Sequence, residues 1–475
     1  MPSPADGRVP GSFRDPSGFL FRHQGRVYRH VGPRYAEDYA LLMDSGLHAA
    51  LVADGDLVDH EEVDDLIAPD ASPPFRTLLP EQIDTLSWPY EWCFGQLGDA
   101  ALLTLRVHRK ALEHGMCLKD ASAYNVQFRH GRPVLIDTLS FARWDTDAPW
   151  VAYQQFCKHF LAPLALMAKV DIRLAGLLRV HIDGIPLDLA SRLLPWGTRL
   201  SPGLAAHLHL HARAQRTWGD AAGEGKPPPK PSFSHNAMIG LVGSLEKAVR
   251  GLRWEPSGTE WADYYARTSY DDEALQHKTD LVAALIDEVG PTSAWDLGAN
   301  DGRFSRLAVE RGASTVAWDL DPAAVERCWR GCREERIDLL PLVLDLTNPS
   351  PGLGWAHTER ASLQDRGPVD LVMALALVHH LAIGNNVPLD RIAAWLVRLG
   401  GSLIVEFVPK SDPQVRRMLA TREDVFPDYT WEGFEAAFSR HATIARREPV
   451  PGTERSLYLL RAGVPREVRD TSIGS

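Results

Sequence analysis

The stretch "AWDLGANDGRFS" (294–305) decides how the second half of the chain is read. Its opening is strand-like, its middle is a tight turn, and "RFSRLAVERG" continues with helical spacing. Gly298 and Gly302 let the backbone bend and approach a ligand with no Cβ in the way. Asn300, between them, tolerates the left-handed region better than other non-glycine residues. A helix beginning beyond such a turn points unpaired N–H groups into the crevice past the strand end. Asp296 lies on the lip of that crevice, where a carboxylate suits an ammonium group better than a pyrophosphate. "DLGANDG" also lacks the G-x-G-x-x-G spacing, which makes a nicotinamide dinucleotide the weaker reading.

From Thr292 onward, strand-like and helix-like segments alternate. Strands are predicted at "SAWDL" (293–297), "TVAWDL" (315–320), "LLPLVLDL" (339–346), "VDLVMALAL" (369–377) and "SLIVEFV" (402–408). "ATIARREPV" and "SLYLLRA" supply candidate antiparallel edge strands. The expected fold is α/β: a Rossmann-like, mainly parallel sheet covered by helices. Asp319 ends the second strand, about twenty residues past the glycine turn, a spacing suited to ribose hydroxyls. Asp345 ends the third, where an acid can meet an adenine amine. His379 and His380 follow the fourth strand, and Glu406 lies near the end of the fifth; these three are the candidate catalytic residues. Either histidine can equally well be packed under the sheet rim, and Asn385 and Asn386 can be turn residues.

Residues 278–462 resemble the class I S-adenosylmethionine-dependent methyltransferases, with "DLGANDGRFS" similar to their first cofactor motif. The resemblance implies S-adenosylmethionine as cofactor. It implies Asp296, Gly298, Asn300 and Gly302 around the methionine moiety, Asp319 on the ribose and Asp345 on the adenine. Upstream, Trp261, Tyr264, Tyr265 and Tyr270 suit a lid that shields a sulfonium by cation–π attraction, and suit ordinary packing equally.

The first half poses a different question. In "CLKDASAYNVQFRHGRPVLIDTLSF" (117–141), Asp120, Asn125 and Asp137 have the order of a phosphotransferase's catalytic acid and two metal-side residues. The stretch resembles the catalytic loop of aminoglycoside-phosphotransferase-like and protein-kinase-like folds. It departs from them at Leu118, where such loops usually carry His, and it lacks an upstream glycine loop with a strand lysine. Arg29 is a poor substitute for that lysine. The expectation is therefore a retained, degenerate kinase-like α+β domain used for support. "GFLFRHQGRVYRHV" reads as a hairpin before it and "DAALLTLRVHRKALEHG" (99–115) as an amphipathic helix.

The expected domains are 1–217, kinase-like or accessory; 218–236, a Gly/Pro-rich linker; 237–291, a helical lid or connector; and 292–475, the methyltransferase core. Together with "PWVAYQQFCKHFLAPLALMAKVDIRL" and "HIDGIPLDLASRLLP", these halves resemble a bacterial family of two-part methyltransferases related to the nodulation protein NoeA. That resemblance implies methyl transfer to a small-molecule or glycan-related acceptor. A phosphotransferase–methyltransferase with two active sites and a cofactor-binding scaffold without turnover are the alternatives.

Composition sets the outer bounds. A chain of 475 residues exceeds one ordinary core. Its formal charge of -11 gives no general reason to bind nucleic acid or an acidic membrane surface. Five cysteines without a CxxC pair, no basic-then-apolar leader and no apolar run of bilayer length point to the cytoplasm, and the oligomeric state stays open. No metal is expected: "HLHLHA" (207–212) would put His207, His209 and His211 on one face of a strand, but its surroundings suit a helix.

Overall fold

The structure, a computed structural model, describes residues 6–64, 66–69, 71–146, 148–210, 234–256, 272–420 and 422–463. The chain divides into two compact units. One comprises Met1–Glu255 with Gly352–Arg360, the other Pro256–Pro351 with Ala361–Ser475. The lid aromatics Trp261, Tyr264, Tyr265 and Tyr270, and most of the expected linker, lie outside the described residues.

The N-terminal unit opens with β1 (Gly7–Arg8), β2 (Gly18–His23), β3 (Arg26–Val31), β4 (His60–Val63) and β5 (Arg76–Pro80). They form an antiparallel sheet in the order β1-β2-β3-β5-β4. The β2–β3 hairpin turns at Gln24 and Gly25, both at positive φ, the pair of conformations a two-residue primed turn requires. Helices α1 (Ala36–Asp44) and α2 (Leu47–Asp54) stand between β3 and β4, separated at Gly46. The helix expected at 99–115 is α3 (Phe94–Glu113), which buries one side along Leu97, Ala101, Leu105 and Leu112. It leads to two small antiparallel pairs: β6 (Met116–Leu118) with β9 (Phe141–Arg143), and β7 (Val126–Arg129) with β8 (Arg132–Leu135). This is the α+β architecture expected of the first half.

One boundary differs from expectation. Helix α4 (His235–Gly251), expected to open the lid, belongs to the N-terminal unit, whose limit is Glu255 rather than residue 217. Arg109 of α3 pairs with Glu246 of α4 at 2.7 Å, and Ala248 abuts Gly203 so closely that a Cβ there would lie 2.8 Å from it. The proline-rich segment attracted the boundary because composition marks loops, not the contacts made beyond them.

In the C-terminal unit, α5 (Asp272–Val289) precedes a seven-stranded sheet. Its strands are β10 (Ser293–Leu297), β11 (Ser314–Asp319), β12 (Leu339–Val343), β13 (Val369–Ala374), β14 (Gly400–Phe407), β15 (Ala442–Pro449) and β16 (Ser456–Ala462). The order is β12-β11-β10-β13-β14-β16-β15. The first five run parallel, and β16 pairs antiparallel with both β14 and β15. Central strands carry near-continuous apolar runs because helices cover both faces. The covering helices include α6 (Arg303–Val309), α7 (Pro322–Glu335), α8 (Leu389–Leu399) and α9 (Trp431–Ser439). Strand order reverses between β10 and β13, and the crevice beyond such a switch point is where open α/β sheets bind ligands. Strand β13 stops at Ala374, short of the predicted residue 377, and Ala376 then adopts φ 51°.

Candidate functional site

A cavity of about 480 Å³ occupies the switch point. Gly298 (φ 77°) and Asn300 (φ 51°) form its floor as the left-handed residues of the turn. The N–H groups of Gly298 and Ala299 both donate to the Trp318 carbonyl, at 2.8 and 3.0 Å, tying the turn to the end of β11. Asp319 closes the arrangement: one carboxylate oxygen accepts the Asn300 N–H at 2.7 Å and the other accepts the Asp321 N–H at 2.8 Å. Burial pushes its carboxyl up to about 6 against these two hydrogen bonds. Asp345 lies two residues beyond β12, not on it, and accepts from the Thr347 N–H and hydroxyl at 2.8 and 2.6 Å. Both acids border the cavity, as does the half-buried His380.

Other expected residues stand elsewhere. Asp296 is 2% exposed and does not border the cavity; its carboxylate accepts the Ser305 hydroxyl at 2.7 Å. Burial pushes it up to about 6, while Ser305 and Lys278 act the other way. Gly302 starts α6 at φ 81°, where a Cβ would lie 2.7 Å from the Cys328 sulfur. It does not border the cavity.

The three catalytic candidates separate. His380 borders the cavity, and burial followed by the Arg455 charge pulls its imidazole down to about 4. His379 is 1% exposed, does not border the cavity, and has no hydrogen-bond partner at either ring nitrogen. Glu406 is fully buried and does not border the cavity. It receives the Lys278 ammonium of α5 at 2.6 Å and lies 3.6 Å from Arg455, which in turn binds Asp412 at 2.7 Å. A strand-end acid is drawn inward when buried cations compensate it.

Several cavity residues carried no sequence signal. Leu320 is an exposed apolar side chain at the mouth, Met418 reaches in from a later helix, and Ala376 holds a backbone conformation that only coordinates reveal. A positive φ at a β-carbon-bearing residue costs free energy and concentrates at functional sites.

The N-terminal unit has its own cavity, of about 790 Å³, and Asp120, Asn125, Asp137 and Arg29 all border it. Asp120 accepts the Ser122 N–H at 2.9 Å and the Gln155 amide at 2.8 Å. Asn125 donates to the Ser140 hydroxyl at 3.1 Å. Asp137 accepts that same hydroxyl at 2.5 Å and pairs with Arg29 of β3 at 2.8 Å. A strand cation, Arg29, therefore does meet Asp137 at the cavity. His207 and His209 lie on a helix, with ring nitrogens contacting Tyr153, Ser244, Ser191 and Thr198 hydroxyls; His211 lies outside the described residues.

Sheet order, glycine turn and strand-end acids together give the C-terminal unit an open, mainly parallel α/β architecture with a ligand-sized cavity at its switch point. No family model matches the chain. Among solved structures, the bifunctional kinase-methyltransferase WbdD is 18% identical over 43% of this chain and 42% of its own, with a TM-score of 0.29. The match thus spans less than half of WbdD. Magnesium protoporphyrin IX methyltransferase from Synechocystis PCC 6803 is 17% identical over 43% of this chain and 93% of its own, at 0.31. Likenesses this low leave the fold to rest on strand order and register. Nodulation protein NoeA of Rhizobium meliloti (strain 1021) is 36% identical over 467 residues, 96% of this chain and 96% of its own. With that identity sustained across nearly the whole of both chains, this protein belongs to the NoeA family.

Proposed function

We propose that the chain methylates a hydroxyl group of a small-molecule or glycan-related acceptor at the C-terminal cavity. The observation that carries this reading is the convergence of Asp319, Asp345 and His380 on one cavity, beyond the ends of the parallel strands β11, β12 and β13. The cavity fits S-adenosylmethionine chemically: two carboxylates suit a diol and an amine, and the glycine turn leaves backbone accessible. When bound, that cofactor supplies an electrophilic methyl group.

Asp319 would accept the ribose hydroxyls and Asp345 the adenine amine. Asp296, through Ser305, would hold the turn rather than touch ligand. His380 stays neutral near pH 7 because burial and Arg455 disfavour its cation. A neutral imidazole accepts a hydrogen bond from the acceptor hydroxyl, orients its lone pair and takes its proton as the new bond forms. Apolar walls such as Leu375 and Leu377 exclude water from that exchange. Nodulation itself, which names the relative, is not part of the proposal.

The experiment supplies the full-length protein with methyl-¹³C-labelled cofactor and a panel of hydroxyl-bearing saccharides and metabolites. The expected product shows the methyl carbon resonance of an ether. Transfer only to amines would refute the acceptor class and the role of His380.

The converging acids of the N-terminal cavity favour phosphoryl transfer as a second reading. Each of them, however, is occupied in ordering its own loop, which is what a supporting role requires.

A further inference from the structure

The N-terminal unit contains a cluster that neither cavity absorbs. His48 is the second residue of α2, while Asp59 and His60 lie at the start of β4, the edge strand of the five-stranded sheet. Nε2 of His48 and Nδ1 of His60 are both buried and have no hydrogen-bond partner. His48 is only 6% exposed. The two rings meet edge-on with centroids 4.4 Å apart, and the Asp59 carboxylate is 4.0 Å from His48 Nε2. One ligand-type atom from each of the three residues lies within 4.8 Å of the others, an arrangement found at this one place among the described residues.

The surroundings orient the His60 ring for ligation. Its Nε2 lies 2.9 Å from the Tyr39 hydroxyl, and Tyr39 donates to Glu62 at 2.8 Å. With the tyrosine proton directed to Glu62, the tyrosine oxygen accepts Nε2–H. That tautomer leaves a lone pair on the buried, unpartnered Nδ1 of a ring whose centroid lies 4.4 Å from that of His48. A carboxylate–hydroxyl–imidazole chain of this kind fixes ring orientation and raises ligand basicity behind many metal-bound histidines.

We propose that His48, Asp59 and His60 bind one divalent transition-metal ion, with zinc the best match, leaving a fourth position for water. Two imidazoles with one carboxylate is a donor set that suits zinc and its neighbours rather than magnesium or calcium. Tetrahedral ligation at ordinary zinc–ligand lengths spaces donors about 3.3 Å apart. The cluster must therefore contract, and the exposed Asp59 side chain supplies the movement. Bound there, the ion ties α2 to the sheet's edge strand.

The test uses the full-length protein, stripped with a chelator and titrated with zinc by calorimetry and with cobalt by visible absorption. One ion per chain, with the d–d bands of tetrahedral cobalt, is expected. His48→Ala and His60→Ala should each abolish those bands, and Tyr39→Phe should weaken affinity about 10- to 100-fold while keeping them. Asp59→Asn, at an exposed position, covers the case in which a histidine variant fails to fold, and should also lose the bands. Cys332→Ser should bind normally. Absence of binding by folded wild-type protein, or binding that survives Asp59→Asn and either histidine change, would overturn the proposal.

Discussion

Replacing Asp319 by Ala perturbs two things, and the structure separates them. The carboxylate holds the Asn300 and Asp321 N–H groups at 2.7 and 2.8 Å, and it also borders the cavity. Alanine strands both donors. Each costs about 1–3 kcal/mol if left dry, and the adjacent cavity admits water, so the lower end applies. The variant should fold with lowered stability. Losing a charge-assisted acceptor for the cofactor's ribose removes about 1.5–3 kcal/mol of binding, or roughly 10- to 150-fold in Kd. Calorimetric titration with S-adenosylmethionine or its demethylated product reads the affinity, and circular dichroism verifies the fold. Unchanged affinity in a folded variant would refute the ribose-binding role.

Four further outcomes follow from the same geometry. Burial pushes the Asp319 carboxyl up to about 6, and a ribose-binding role requires it ionised, so cofactor affinity should fall about tenfold from pH 7 to pH 5; Asp296 is pushed into the same range, and a fall unchanged in Asp319→Ala would assign it there instead. Lys278→Met leaves Glu406 buried with a depleted set of cations and should destabilise the protein by about 3–5 kcal/mol in denaturant titrations, whereas a change under about 1 kcal/mol would contradict that pairing. His380→Ala should lower kcat far more than cofactor affinity, while His379→Leu, which removes two unpartnered nitrogens, should keep both stability and turnover; the reverse pattern would exchange their roles. Asp137→Asn should leave methyl transfer intact, and the full-length protein should show no magnesium-dependent ATP binding; tight binding abolished by that substitution would move the two-activity reading to first place.

The parts legible in the sequence were those written locally. The run 293–297 became β10 residue for residue, because a short apolar segment followed by a glycine turn has few alternatives. Asp319 was legible for the same reason, as a polar residue ending a buried strand. Glu406 was not, because its ion-pair partner Lys278 lies 128 residues away, and no local pattern records that a cation will meet it. Nor does "VHH" say which ring turns toward the cavity; the helical turn that begins at His380 decides it. The His48, Asp59 and His60 cluster follows no ligand spacing because it joins a helix to a strand through tertiary structure alone.

The central claim is that the cavity beyond β10–β13 moves a methyl group and does not merely hold a cofactor. Its most direct test incubates the full-length protein with methyl-labelled S-adenosylmethionine and a metabolite extract, then identifies labelled products by mass. The wild type should form a labelled small molecule or glycan, reduced in Asp319→Ala in step with its weakened affinity. Stoichiometric cofactor binding with no label leaving the cofactor across extracts that contain hydroxylated acceptors would contradict it and make the protein a cofactor-binding scaffold.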